Sequence, residues 1–202
     1  MYSEIIFDLE TKKLFEEIDT QDPADLGVSV VSLYLRRLDA NFSEIEGQLL
    51  SFWEPDFPKM FSLFSNIDRI IGFNSLKFDV PALKPYSPYN FAKLSHFDIM
   101  DSVKDGLGFR LSLSNLAHST LDRGKTDVGT NAVVYWNEST PESLKKLQQY
   151  CEADVLVTRD IYDYGLKHKH LKYIDKWNTP RQFAVDFSRT QSTETANQFG
   201  LF

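Results

Sequence analysis

Three apolar runs rich in β-branched residues occupy the first 53 residues, before any segment with clear helical periodicity. They span residues 3–9, 26–35 and 49–53. Such runs predict β-strands, and their succession along the chain predicts an antiparallel meander. Strand and helix patterns then alternate as far as residue 187. This order predicts an α/β fold in which helices pack on one mixed sheet.

The alternating part of the chain contains four helical patterns and two short strand patterns. The helical patterns lie in residues 57–65, directly after Asp79, in 112–121 and in 141–167, and the strands in 69–73 and 95–99. Thr140 followed by Pro141 is typical of a helix start, because a threonine side chain caps free N–H groups and proline suits the first turn. Residues 171–187 predict a hairpin that turns near Asn178.

Length and composition bound the domain organisation. A chain of 202 residues with 42% hydrophobic residues is enough for one sizeable core. We expect a single domain over residues 1–187, with its motifs in residues 3–166, and a flexible polar tail over residues 188–202. We expect neither a membrane span nor a secretory signal peptide, because charged residues interrupt every apolar stretch. The single cysteine, Cys151, cannot form an internal disulfide, which fits the cytoplasm.

The charge balance argues against a protein that coats nucleic acid. Twenty-two basic and 29 acidic residues give a net charge of −7, whereas proteins that hold nucleic acid by bulk electrostatics are usually basic. The sequence contains no conspicuous basic stripe, so we expect weak intrinsic affinity for nucleic acid. An acidic chain of this kind either uses its charge for solubility or gathers carboxylates around metal ions.

The first carboxylate motif lies at the end of the first predicted strand, in the run Phe7-Asp8-Leu9-Glu10-Thr11. Alternate residues of a strand point to the same face, so the side chains of Asp8 and Glu10 project together and Leu9 faces the core. Two adjacent carboxylates repel each other unless a cation lies between them. On its own, the motif is more typical of a solvated strand end.

Two more motifs follow. In the run GFNSLKFD, residues 72–79, a buried strand leads into a loop, and Asp79 lies where a helix begins. An aspartate there is compatible with a plain helix N-cap as well as with a metal ligand. In the long helix, Tyr150 and Asp154 are four residues apart and therefore share one face. Taken alone, such a pair is usually structural.

Together, the three motifs resemble the DEDD superfamily of 3′–5′ exonucleases, which have a ribonuclease H-like fold. The run GFNSLKFD resembles the second motif in the proofreading domains of family A DNA polymerases. Gln149 lies where the histidine subclass carries its histidine, and Tyr150 precedes Asp154 by four residues, so the resemblance is to the tyrosine (DEDDy) subclass. The resemblance covers roughly residues 3–166 and implies a mixed sheet flanked by helices.

The resemblance also implies a mechanism. Two ions, Mg²⁺ or Mn²⁺, would be held by the four carboxylates, with Asp8 bridging both, Glu10 and Asp154 completing the site of the attacking water, and Asp79 holding the second ion. Tyr150 would orient the water. Four residues are candidates for contact with the terminal nucleotide of a DNA 3′ end: Thr11, Asn74, Phe78 and Leu14. Phe78 and Leu14 are the weaker candidates, because either side chain also suits a hydrophobic core.

The chain ends Gln198-Phe199-Gly200-Leu201-Phe202 after a polar stretch. A polar segment that ends in apolar anchors is typical of peptide recognition. Gln198, Leu201 and Phe202 resemble the motif that binds the bacterial β sliding clamp, although Phe199 and Gly200 depart from its commonest form. Clamp binding would raise the local concentration of the protein at DNA and so compensate for the weak DNA affinity expected of an acidic surface.

These observations favour a two-metal 3′–5′ exonuclease that acts on DNA in replication or repair. A 3′–5′ exoribonuclease of the same fold is the nearest alternative, and a catalytically inactive scaffold that binds nucleic acid or a protein partner is another. The complete set of carboxylates with Tyr150 argues against the scaffold, and the terminal pentapeptide favours DNA over RNA. The sequence leaves the oligomeric state open.

Overall fold

The computed structural model describes residues 1–123 and 130–189. Its main sheet has five strands in the order β3-β2-β1-β4-β5. These are β1 (Tyr2–Thr11), β2 (Val28–Leu38), β3 (Glu44–Trp53), β4 (Arg69–Gly72) and β5 (His96–Asp98). β1, β2 and β3 pair antiparallel, whereas β4 pairs parallel with both β1 and β5. The predicted meander and the mixed α/β sheet are therefore confirmed.

Six helices are described along the chain. They are α1 (Phe57–Leu63), α2 (Asp79–Leu83), α3 (Ile99–Leu107), α4 (Leu113–Leu121), α5 (Thr130–Glu138) and α6 (Pro141–His168). A separate two-stranded sheet consists of β6 (His170–Ile174) and β7 (Pro180–Ala184), which pair antiparallel. This sheet is the predicted hairpin, and its turn includes Asn178.

The side chains of β1 divide between two cores on opposite faces of the sheet. Ile5, Phe7 and Leu9 pack with α1, α2 and Phe91 on one face. Ile6 packs on the other face, with α3, α4, α6 and the β6–β7 hairpin. Because side chains alternate along a strand, the even-numbered residues of β1 face α6. Asp8 and Glu10 are among them.

Helix α6 begins as the sequence predicts. The Thr140 side chain accepts a hydrogen bond from the backbone N–H of Ser143 at 3.1 Å, and Ser143 Oγ accepts one from the Thr140 N–H at 3.0 Å. Pro141 occupies the first helical position. The helix ends at His168, one residue beyond its predicted end, where Lys169 adopts a left-handed conformation with φ of 58°. Among the described residues, no helix has both the length and the apolar character that crossing a bilayer requires.

Several predicted boundaries were wrong. β3 begins at Glu44 rather than at residue 49, because Gly47 lies within the strand, paired with Arg36, and does not precede it. α1 ends at Leu63 and continues as a 3₁₀ turn over Phe64–Asn66. α3 and α5 were not predicted.

Candidate active site

The end of β1 presents two carboxylates toward α6. Asp8 and Glu10 are both partly buried, while Leu9 between them is 4% exposed in the opposite core. The pairing of β1 with β2 shifts between Glu10 and Thr11. Such an irregularity changes the local twist and often lies beside functional side chains. The side chains of Asp8 and Glu10 therefore project from the same face of the sheet, next to the point where regular pairing is interrupted.

Helix α6 carries the third carboxylate to the same place. Cys151 is fully buried, and its thiol donates a hydrogen bond to the carbonyl oxygen of Asp8 at 3.4 Å. This contact holds the helix against the strand. Asp154, almost one turn further along, brings a carboxylate oxygen to the first motif, and the oxygens of Asp8, Glu10 and Asp154 all lie within 4.8 Å of one another.

Asp79, from the second motif, lies beside this cluster without belonging to the closest group of oxygens. It is the first residue of α2 and is 3% exposed. Phe78 occupies the N-cap position, so the interpretation of Asp79 as a plain N-cap was wrong. The negative charge of Asp79 raises the pKa of both Asp8 and Glu10, which places it within electrostatic reach of the cluster.

Asp98 positions the loop that leads to Asp79. Its carboxylate accepts hydrogen bonds from the backbone N–H groups of Asn74 at 2.8 Å, Leu76 at 3.0 Å and Met100 at 2.9 Å. The bond to Asn74 holds a residue with φ of 61°. Sequence reasoning did not identify this role, although an aspartate between a short strand and a helix is an N-cap signal that could have drawn attention to it.

The close approach of Ser75 explains why the loop is preceded by a glycine, Gly72. A Cβ atom at Gly72 would lie 2.3 Å from Ser75 Oγ. Only a residue without a side chain lets the loop turn back this tightly.

Burial and mutual repulsion dominate the electrostatics of the site. Burial raises the pKa of Asp8 well above its usual range, and the charges of Asp79, Asp154 and Glu10 raise it further. The pKa of Glu10 is raised for the same reasons. Burial raises the pKa of Asp79 to about 7 and that of Asp154 to about 6. Four acids that resist ionisation in the same place form an arrangement that a bound cation would stabilise.

The donor set fits a hard divalent cation. Asp8, Glu10 and Asp154 offer only carboxylate oxygens, the ligands that Mg²⁺, Mn²⁺ and Ca²⁺ prefer. Within residues 1–123 and 130–189, no lysine or arginine forms an ion pair with any of the four carboxylates. The cluster can therefore hold a metal ion without displacing a protein cation from the described part of the chain.

Tyr150 lies on α6 beside Asp154, one turn before it. Burial and the nearby charges of Asp154, Glu10 and Asp8 raise the pKa of the Tyr150 phenol above its ordinary value. The hydroxyl is therefore protonated at any physiological pH and acts as a hydrogen-bond donor rather than as a base.

The four candidate substrate contacts lie in different settings around the cluster. The Thr11 hydroxyl donates a hydrogen bond to the Lys13 carbonyl at 2.9 Å. Phe78 is partly buried and packs edge-to-face on Phe15 at 6.1 Å, while Leu14 is 37% exposed. Asn74 accepts a hydrogen bond from the Arg110 guanidinium at 2.6 Å. The clamp-like residues Gln198, Leu201 and Phe202, and nearly all of the predicted flexible tail, lie outside the described residues.

A family model of the RNase H superfamily, RNase_H_2, matches residues 5–165, well over half of the chain. The chain belongs to the RNase H superfamily. The matched segment of this superfamily member contains all three carboxylate motifs and ends before the β6–β7 hairpin. A search of curated proteins found no significant match.

Two solved structures of Escherichia coli exonuclease I resemble this superfamily member. One is a zinc-bound complex with single-stranded DNA, with 14% identity and a TM-score of 0.46, and it covers 84% of this chain. The other is a complex with a dA16 oligonucleotide, with 17% identity and a TM-score of 0.45, and it covers 83% of this chain. In both cases the match covers 41% of the exonuclease chain, so this chain spans about two fifths of its length.

Proposed function

We propose that the chain is a two-metal-dependent 3′–5′ exonuclease that hydrolyses DNA phosphodiester bonds in replication or repair. The observation that carries this proposal is the group of three carboxylates whose oxygens lie within 4.8 Å of one another. Keeping such groups together in a folded protein is unfavourable unless they serve a cation. Membership of the RNase H superfamily supports phosphodiester hydrolysis as the use of that cation.

The four carboxylates would share two ions, Mg²⁺ or Mn²⁺. Asp8, Glu10 and Asp154 would hold one of them, and Asp79 would hold the other together with Asp8. When bound, such ions supply an activated water and stabilise the charge on the leaving 3′ oxygen. The protein's own contribution is a rigid frame: β1 fixes the first two carboxylates, α6 the third, and the loop held by Asp98 the fourth.

Tyr150 would orient the attacking water in the manner of the DEDDy subclass. Because its hydroxyl stays protonated, it can donate a hydrogen bond to the water or to a phosphate oxygen, but it cannot remove a proton. Thr11 and Asn74 would contact the terminal nucleotide through polar groups, and Phe78 and Leu14 would contact its sugar and base.

A labelled-oligonucleotide assay tests the reaction. A 5′-labelled DNA oligonucleotide incubated with Mg²⁺ or Mn²⁺ should yield a ladder that shortens from the 3′ end, and EDTA should stop it. The Asp154→Asn variant, which keeps the size of the side chain, should yield no ladder. A matched RNA oligonucleotide should be degraded more slowly. Faster degradation of RNA would favour the exoribonuclease, and wild-type activity in Asp154→Asn would contradict the mechanism.

We also propose that Gln198, Leu201 and Phe202 recruit the enzyme to a β sliding clamp in the cytoplasm. Two apolar anchors carry most of the affinity of a short peptide, and a dissociation constant of roughly 1 μM, about −8 kcal/mol, is expected. Calorimetric titration against a purified bacterial clamp tests this. Replacing Leu201 and Phe202 by alanine should abolish the heat of binding and leave degradation of short free oligonucleotides unchanged. Absence of heat with the wild-type chain would contradict recruitment.

A further inference from the structure

An aromatic and basic cavity lies between α4 and the β6–β7 hairpin, and its hairpin side lies beyond the segment that the superfamily model matches. Its volume is about 750 Å³, and its lining includes Phe109, Arg110, Tyr173, Lys176, Trp177 and Arg181. Ligand cavities typically measure roughly 300–1,000 Å³, so this one has room for one or two nucleotides. None of the residues assigned to the carboxylate site or to contact with the terminal nucleotide lines this cavity.

The cavity displays aromatic rings that a core would bury. Trp177 is 73% exposed and Phe109 is 47% exposed. The Phe109 ring meets the Tyr173 ring edge-to-face at 6.0 Å. Exposed aromatic faces in a cavity are typical of surfaces on which nucleobases stack, because every base presents a π-face.

The hairpin that carries these rings is held rigidly against α4. The Asn115 side chain donates a hydrogen bond to the Ile174 carbonyl and accepts one from its N–H, each at 2.9 Å. The hairpin turn is also fixed, because the Asp175 carboxylate accepts hydrogen bonds from the N–H groups of Trp177 at 3.0 Å and Thr179 at 2.9 Å. Trp177 therefore stands on an ordered turn, and its exposure is a property of the fold.

Basic groups accompany the rings although the chain is acidic overall. Lys176 Nζ lies 4.4 Å from the centre of the Trp177 ring, and Arg181 pairs with Asp175 at 3.0 Å. Within residues 1–123 and 130–189, neither Arg110 nor Lys176 has an acidic ion-pair partner. Unpaired cations beside exposed rings match the two parts of a nucleotide, its phosphate and its base.

Arg110 lies between the cavity and the loop that leads to Asp79. Its guanidinium contacts Asn74 at 2.6 Å, in the loop that leads to Asp79. The charges of Lys77 and Arg110 both lower the pKa of Lys104, so three cations lie close together beside this loop. One acidic partner, Asp101, lies 3.7 Å from Lys77. These cations could contact phosphates of a strand that passes from the loop before Asp79 toward the cavity.

We propose that the cavity binds the nucleotides of a single-stranded polynucleotide that lie two or more positions upstream of the scissile phosphate. The inference rests on the proposed exonuclease function for its direction: when the 3′-terminal residue occupies the carboxylate site, the remainder of the strand lies on the 5′ side. Bases stack on Trp177 and on the Phe109–Tyr173 pair, and Arg110 and Lys176 contact the phosphates.

Two measurements test the proposal with Trp177→Ala, the conservative variant Trp177→Phe and a control, Lys59→Ala. Lys59 is an exposed lysine on α1, across the sheet from the hairpin. The first measurement is the affinity for a labelled single-stranded dT12 in EDTA. The second is kcat/KM with Mg²⁺ for dT12 and for a dinucleotide, which is too short to reach the cavity.

Trp177→Ala should bind dT12 roughly tenfold more weakly, because stacking on one ring contributes about that factor. Its kcat/KM for dT12 should fall similarly, while hydrolysis of the dinucleotide is unchanged. Trp177→Phe should recover most of the affinity, and Lys59→Ala should behave as wild type. Because the Trp177 side chain is exposed, its replacement should leave the unfolding midpoint unchanged.

Equal dT12 binding and cleavage by wild type and Trp177→Ala would overturn the inference and leave the exonuclease proposal standing. If the wild-type protein cleaves neither substrate, the exonuclease proposal fails, and the binding measurement in EDTA still decides the cavity. Loss of dT12 affinity in Trp177→Ala would then support a strand-binding surface, and no loss would overturn it.

Discussion

The carboxylates on one face of β1 have different partners at the two ends of the strand. Near its start, Glu4 is fully buried and accepts hydrogen bonds from Arg36 at 2.8 Å, Arg189 at 2.7 Å and Tyr162 at 3.0 Å. Burial alone would raise the pKa of Glu4, but the hydrogen bonds and charges of the two arginines outweigh it and lower the pKa. We call this end the paired end.

At the other end of the strand, which we call the open end, Asp8 and Glu10 have no such partners among the described residues. The cross-strand neighbour of Glu4 on β2 is Arg36, whereas those of Asp8 and Glu10 are Ser32 and Val30. The paired end is completed by protein cations and is structural. At the open end no protein cation among the described residues pairs with the carboxylates, so this end is suited to a cation from solution. The two ends therefore differ chiefly in whether their carboxylates have cationic partners within the described part of the protein.

The largest effect is expected from Asp8→Asn. In the proposed mechanism Asp8 is the ligand that both ions share, so its loss should lower the rate of DNA hydrolysis roughly a thousandfold or more. The same change should raise the free energy of unfolding in EDTA by roughly 1 kcal/mol, because it relieves repulsion between carboxylates. Rate measurements and urea unfolding check the two parts. Lower stability in EDTA would mean that the open end is structural as well.

Glu4→Gln should have the opposite pattern. It removes the carboxylate that Arg36 and Arg189 share; Arg36 keeps its pair with Asp163, but the buried pair of Arg189 with Glu4 is broken, and breaking such a pair costs roughly 3 kcal/mol of stability. The rate of hydrolysis per folded molecule should not change. Urea unfolding, with active molecules counted by substrate binding, checks this. Wild-type stability would show that the paired end contributes little to the fold.

Tyr150→Phe and Tyr162→Phe sharpen the contrast, because each removes one hydroxyl from α6. Tyr150→Phe should lower kcat roughly 30- to 100-fold with little change in stability, since it removes a donor at the open end. Tyr162→Phe should lower stability by about 1 kcal/mol and leave kcat unchanged, since its hydroxyl serves Glu4 and Arg69. Similar kcat values for the two variants would remove Tyr150 from the mechanism.

The local part of the open end could be predicted from sequence. The period of two along a strand places Asp8 and Glu10 on one face, and the spacing of four places Tyr150 and Asp154 on one face of a helix. The start of α6 was equally predictable, because its capping residues are adjacent in the chain. Each of these features depends on residues less than five positions apart.

The paired end and the aromatic cavity could not be predicted, because they depend on distant residues. Glu4 meets Arg36 and Arg189, which are 32 and 185 positions away. Sequence reasoning found no basic stripe, since the cations of the cavity come from separate segments that only the fold brings together. Helix α3 was missed although Ile99, Val103 and Leu107 recur at helical spacing and Asp98 caps the helix, because residues 95–99 were interpreted only as a strand.

The smallest expected effect is a difference in how the two ends respond to pH in the metal-free protein. The folded-state pKa is about 6 for Asp154 and about 7 for Asp79, against an ordinary value of 3.8. Between pH 4 and 7 the folded state therefore binds more protons than the unfolded state, and the stability from these groups falls as pH rises. The lowered pKa of Glu4 has the opposite sign: its contribution is present above about pH 4.5 and is lost as pH falls further.

Urea unfolding in EDTA at pH 5 and pH 8 measures this response. His96 also contributes to the pH dependence of stability, with the opposite sign. Burial lowers its pKa, so its contribution to stability rises with pH. The difference between wild type and Asp154→Asn removes that contribution, since both proteins keep His96. Wild type should lose roughly 1–2 kcal/mol more than the variant between pH 5 and pH 8, given about 1.4 kcal/mol per pKa unit. Mg²⁺ should abolish the excess loss, because a bound cation stabilises the ionised carboxylates that burial disfavours. An equal pH response in the two proteins without metal would mean that the open end is already compensated, and the contrast with Glu4 would fail.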